Sequence, residues 1–285
     1  MNGNVDLLAH YWTIAVGAEP HSDHEYSTSS FEERVATAAK AGFTGFGIWH
    51  ADLEHTLERL SLTDMRRVLD DHGIRHLELE FLNDWCIDGE PKRESDKRKR
   101  LLFEAAEKLR AHHVKVGDFV RQPCPIPRLI ERFAGLCKEA ENYGTKLAFE
   151  MMPFCIIDSL ELARELVEGA GAKNGGIYFD LWHIEKLGIP HEAVARFPMQ
   201  YLVGIELNDG YSRAHSMPDP HIETTQHRQL CGDGEFDVKD FIKHMQAAGW
   251  RGPWGIEVLN KQLRQRPIEE VTRRAFETTA ALFRG

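Results

Sequence analysis

Eight times along the chain, a short apolar run of β-formers gives way to a longer stretch with the spacing of an amphipathic helix. The strand-like runs fall at residues 7–16, 43–49, 76–81, 114–119, 146–149, 177–179, 201–207 and 255–259. Helical patterns follow at 31–41, 61–73, 100–112, 127–143, 159–168, 191–196, 238–248 and 268–283. Ser30 with Glu33 makes a capping box and Gly42 a stop signal, so the first helix has both ends marked. The charged segment 88–100 reads as a solvated loop, and 210–234 as a long polar connection. Strands that alternate with helices must pair in parallel, and eight such units without a break in composition predict a (β/α)8 TIM barrel, one domain over residues 1–285. A doubly wound nucleotide-binding fold is disfavoured, because no GxGxxG follows an early strand and no GxxxxGK[ST] occurs.

With 285 residues, 42% of them hydrophobic, the chain can fill one large core. Its formal net charge of −10 argues against a nucleic-acid backbone or an anionic membrane as partner, since both call for basic surface. A small neutral substrate fits better. Five cysteines without a CxxC pair suggest neither a disulfide framework nor a structural zinc site, which points to the cytoplasm. No apolar run reaches the length of a membrane span, and the first residues lack the basic start of a signal peptide.

The chemistry is carried by four acids inside or at the ends of apolar strand-like runs: Glu150 in LAFEMMPF, Asp180 in YFDLWH, Glu206 in VGIELND and Glu257 in WGIEVLN. A buried carboxylate must be protonated, paired with a base or bound to a cation, and several converging on one axis cannot all be protonated cheaply. The strands show almost no Lys or Arg to pair with them. One divalent cation is then the simplest compensation, and oxygen donors favour Mn²⁺, with Mg²⁺ or Co²⁺ as alternatives.

The order Glu150, Asp180 with His183 in DxxH, the turn GDGEFD at 232–237, and Glu257 in GIEVL resembles the xylose isomerase-like barrels, over nearly the whole chain. That family includes sugar epimerases, inosose dehydratases and hydroxypyruvate isomerase. The resemblance implies that Glu150 and Glu257 both bind the metal and act as the acid-base pair, that Asp180 is a metal ligand, and that His183 and Arg228 contact substrate. One departure stands out. The family usually carries a metal-binding histidine on the seventh strand, where this chain has Glu206; either Glu206 replaces it, or Asp209 or His227 completes the set.

Around these residues, Trp49, His50, Trp182 and His227 are further candidates for substrate contact, the tryptophans by stacking on a sugar-like ring. His215 and His221 read as solvated loop residues. The reaction implied is removal of a proton beside a carbonyl, followed by epimerisation or isomerisation through an enediolate. The alternative is β-elimination, as in a dehydratase or the metal-bearing subunit of a C-glycoside-cleaving lyase. A homo-oligomer is expected, or for the lyase a complex with a small second subunit. An endonuclease IV-type repair enzyme shares the barrel but is disfavoured by the acidic charge and the scarcity of strand-end histidines.

Overall fold

The structure, a computed structural model, describes residues 5–117 and 123–284. Its strands are β1 (Leu7–Ala9), β2 (Gly45–Trp49), β3 (His76–Leu82), β4 (His113–Val116), β5 (Lys146–Glu150), β6 (Gly175–Asp180), β7 (Leu202–Leu207) and β8 (Trp254–Ile256). All neighbours pair in parallel, and β8 closes on β1 through Leu8↔Gly255 and Ala9↔Ile256, so the sheet is a closed barrel in chain order. The helices are α1 (Tyr11–Ile14), α2 (Phe31–Ala41), α3 (His50–Leu57), α4 (Leu62–Asp71), α5 (Glu90–Leu109), α6 (Ile126–Glu141), α7 (Leu160–Ala170), α8 (Leu181–Leu187), α9 (His191–Ala195), α10 (Pro220–Gln226), α11 (Val238–Ala248) and α12 (Ile268–Leu282). Among the described residues no helix is long and apolar enough to cross a membrane.

The period-two geometry of a strand divides each sequence between two environments. Leu77, Leu79, Val114, Val116, Leu147, Phe149, Ile177, Phe179, Ile205, Leu207 and Ile256 join the apolar core shared with the helices. Their alternates Glu78, Glu80, His113, Lys115, Glu150, Tyr178, Asp180 and Glu206 are equally buried but meet one another inside the barrel. The axis is therefore polar, where a barrel of this kind ordinarily stacks branched aliphatic side chains. Two glycines make room for it: a Cβ on Gly204 would stand 2.2 Å from the Tyr178 ring, and one on Gly255 2.5 Å from His10 Nε2.

Several expected boundaries shift. The run at 7–16 is strand only to Ala9, then turns into α1. Residues 114–119 yield β4 to Val116, and Phe119 lies outside the described residues. The charged segment 88–100 is helical from Glu90, not a loop: Pro91 suits the first turn, and Lys92–Asp96 at 2.5 Å and Glu94–Lys97 at 2.7 Å pair one turn apart. The connection 210–234 contains α10, whose N-terminus is capped by Asp219 accepting from His221 N at 2.8 Å and Ile222 N at 3.3 Å. Helix α2 starts as expected, with the Ser30 side chain accepting from Glu33 N, and ends at Gly42 with φ 114°.

Candidate active site

Glu150 ends β5, Asp180 ends β6, Glu206 lies near the end of β7, and Glu257 follows β8 directly. Parallel strands carry all four to the carboxyl-terminal mouth, where each offers an oxygen within 4.8 Å of those of the others. All are buried. Contrary to the expectation of a strand set without basic partners, Lys115 on β4 reaches into this cage. Its Nζ lies 2.6 Å from Glu206 Oε1, 3.1 Å from Glu80 Oε2, 3.4 Å from Glu150 Oε2 and 3.9 Å from Glu257 Oε1. Arg228 supplies the second cation, its Nη1 donating to Asp180 Oδ2 at 2.6 Å and Glu257 Oε2 at 3.0 Å. His10 lies beneath: its Nδ1 is 2.7 Å from Glu206 Oε1, and its Nε2 contacts Glu78.

These neighbours split the acidities of chemically similar groups. Burial pushes Glu257 up to about 7, aided by the Glu80 charge and opposed by Lys115 and Arg228. Burial also works to raise Glu150, but Lys115 and His183 outweigh it and hold that carboxyl below its ordinary value. Asp180 is lowered likewise, Arg228 and His183 overcoming its burial. Glu206 moves furthest the other way: burial and the Glu257 charge raise it well above the usual carboxylate range despite its bonds to His10 and Lys115. Carboxyls this close titrate as one coupled set, so a proton taken up by the cage belongs to the set and not to a single residue.

Above the cage the cleft is lined on one side by Trp12, Trp49, Phe81, Met152, Phe154 and Leu259, and on the other by Glu80, Lys115, Glu150, His183, Arg228 and Glu257. Helix α10 and the loop before α2 form its rim, with the His21 and His221 rings 4.9 Å apart. His183 Nε2 sits 3.5 Å from Glu150 Oε1, 3.8 Å from Asp180 Oδ2 and 3.4 Å from Arg228 Nη2.

Not every candidate for substrate contact lines this cleft. Trp49 does, its Nε1 donating to Glu25 Oε2 at 2.9 Å. His50, the first residue of α3, is buried against the Trp49 ring and off the cleft, and burial drives it down to about 3, so it is neutral. Trp182 is fully buried and serves as a platform, with Arg228 Cζ 5.5 Å and Lys186 Nζ 5.3 Å from its ring centroid. His227 pairs through its backbone with Asn260 and does not line the cleft. Asp209 is no spare ligand either: its carboxylate accepts from the backbone N–H of Gly210, Gly232 and Phe236, fixing the GDGEFD turn. Sequence reasoning missed Lys115 and His10, and read as solvated the His221 that lines the cleft; Trp12, near a presumed strand end, is among the aromatics it offered for stacking. For Lys115 the signal was a lone lysine between valines in HVKV, the same anomaly that exposed the acids.

The donor set suits a divalent ion on a direct observation. Glu206 Oε2 is fully buried and has no hydrogen-bond partner, and it belongs to the four-carboxylate group whose oxygens could share one cation. Asp180 Oδ1, by contrast, accepts from Trp182 N at 2.7 Å and Asn208 Nδ2 at 2.9 Å, which orients that carboxylate toward the cage.

Comparison with known proteins places the fold. The chain is 26% identical over 249 residues to 3-dehydroshikimate dehydratase of Pseudomonas aeruginosa, covering 84% of this chain but only 38% of that protein. It is 23% identical over 265 residues to inosose isomerase of Bacillus velezensis, covering 89% of this chain and 92% of the other. Among solved structures, the IolI protein crystallised with a bound zinc atom superposes with a TM-score of 0.83 at 19% identity, over 98% of this chain and 97% of that one. Residues 35–282 match the family described as the xylose isomerase-like TIM barrel, and the chain belongs to that family.

Proposed function

We propose that this protein is a divalent-metal-dependent enzyme that removes a proton beside a carbonyl of a small sugar-like substrate and gives epimerisation or isomerisation through an enediolate. The observation that carries the reading is the pair Glu150 and Glu257, two carboxyls in one cleft whose acidities are driven apart. Near neutral pH Glu150 is ionised and can accept a proton, while Glu257, at about 7, can hold one to give. Delivery to the same carbon inverts it; delivery to the neighbouring carbon moves the carbonyl. Glu150, Asp180, Glu206 and Glu257 would hold the ion, and their oxygens favour Mn²⁺, with Mg²⁺ or Co²⁺ as alternatives. When bound, it would act as a Lewis acid on the substrate oxygens and stabilise the charge that proton removal creates. His183 and Arg228 orient those oxygens, and Trp12, Trp49 and Phe154 cover the apolar face of the ring.

Similarity to a dehydratase favours β-elimination as the second reading: the same first step, then loss of a leaving group from the β-carbon. His183, which lies beside Glu150 in the cleft, would protonate that group, whereas His50 lies off the cleft.

The test is a screen of keto-sugars and keto-glycosides in deuterated water with the manganese-loaded protein. Label should enter at the carbon beside the carbonyl. Glu150→Gln and Glu257→Gln variants shown by elemental analysis to retain the ion should each lose exchange by at least 10²-fold, on the scale typical of a general acid or base. Unchanged exchange in both variants would remove the pair from the mechanism.

A further inference from the structure

Three of the four carboxylates that could share a divalent ion, Glu150, Glu206 and Glu257, already face one ammonium, and the fourth, Asp180, is held by Arg228. Lys115 is fixed there by β4, buried, with its Nζ also 4.9 Å from the centre of the Tyr178 ring. Its closest bond, at 2.6 Å, is to Glu206, whose other oxygen is buried without a hydrogen-bond partner. Lys115 is thus a cation already held among these carboxyls. An ion coordinated by these oxygens would lie within a few ångströms of the ammonium, so the two cations repel and cannot be held there together at full strength. A lysine stem is flexible enough to leave, and the same side chain lines the cleft, which gives it somewhere to go.

We propose that Lys115 is the resident counter-ion of the cage, competing with the divalent ion for it, and that ion binding turns its ammonium into the cleft as a donor to a substrate oxygen. The inference rests on the metal-dependent reading above. It explains why the cage tolerates so many carboxylates without an ion, and it makes metal loading and substrate recognition one event. The empty cage never forms: as one cation leaves, the other enters.

Two measurements test it. Mn²⁺ titrated calorimetrically into chelator-stripped protein should bind Lys115→Met at least tenfold more tightly than the unaltered chain. Because Lys115→Met leaves carboxylates uncompensated and can fail to fold without metal, the second measurement uses the unaltered chain. Reductive dimethylation read by mass spectrometry should label Lys115 several-fold more in saturating Mn²⁺ than without it, while exposed Lys97 and Lys108 stay unchanged. Affinity in Lys115→Met equal to or weaker than that of the unaltered chain, or labelling of Lys115 indifferent to Mn²⁺, overturns the competition and leaves the metal reading standing. Absence of Mn²⁺ binding in both proteins overturns both.

Discussion

Glu150 and Glu257 bear the same side chain in the same cleft, and their different acidities have a consequence for stability as well as catalysis. A carboxyl raised to about 7 in the folded state, from about 4.5, binds its proton more tightly folded than unfolded. Its stabilising contribution is therefore complete below pH about 4.5 and lost as pH rises through 7, by an amount on the order of 3 kcal/mol. Glu257→Gln cannot titrate, so the metal-free variant should lose correspondingly less stability between pH 5 and pH 8; urea unfolding at the two pH values measures it, and equal slopes would contradict the assignment. Such residues were legible in the sequence to the extent that burial contradicts charge. Glu150, Asp180, Glu206 and Glu257 stand out because each interrupts an apolar run, whereas Arg228, before the GDGEFD turn, was indicated only through the family resemblance. Lys115 obeys the same rule, but its partners come from β3, β5, β7 and the residue after β8, which no local pattern shows. His50 and Trp182 lie off the cleft: each follows a strand end where a helix starts at once and is buried in its first turn, while His183, the next residue after Trp182, lines the cleft.

The element boundaries follow from local chemistry wherever a cap or a breaker marks them. Ser30, Ser61, Ser159 and Gly42 place their helix ends as the residues alone suggest. The first half of α5 and the whole of α10 were hidden because charge and polarity read as loop, and only the pairing of Lys92 with Asp96 and the capping by Asp219 reveal them. Glycines separate the elements further by what surrounds them. Gly204→Ala would drive a methyl to 2.2 Å from the Tyr178 ring across the β6–β7 pair, and should cost about 1–3 kcal/mol. Gly135 on α6 is exposed with nothing within 4 Å of an added Cβ, so Gly135→Ala should instead stabilise by roughly 1 kcal/mol. Thermal unfolding of the two variants should move in opposite directions.

At the scale of the whole molecule, the polar axis divides unevenly between the two halves of the barrel. Strands β3 and β4 and the residue after β1 bring Glu78 and Glu80 together with His10, His113 and Lys115. Strands β5–β8 bring Glu150, Asp180, Glu206 and Glu257 against Arg228 and the His183 ring, and so carry an excess of negative charge that Lys115, 91 residues before Glu206, must offset. A buried charge stripped of its partner is strongly destabilising, commonly by about 3–5 kcal/mol. The chain cut between β4 and α6 should accordingly behave as two unlike fragments: the carboxyl-terminal piece alone should stay unfolded by circular dichroism near neutral pH, and gain structure on acidification or on mixing with its amino-terminal complement. A carboxyl-terminal fragment that folds by itself at pH 8 would show that the halves do not depend on one another for charge. If they do, the amino-terminal half acts as an intramolecular chaperone for the half that bears most of the carboxyls of the cage.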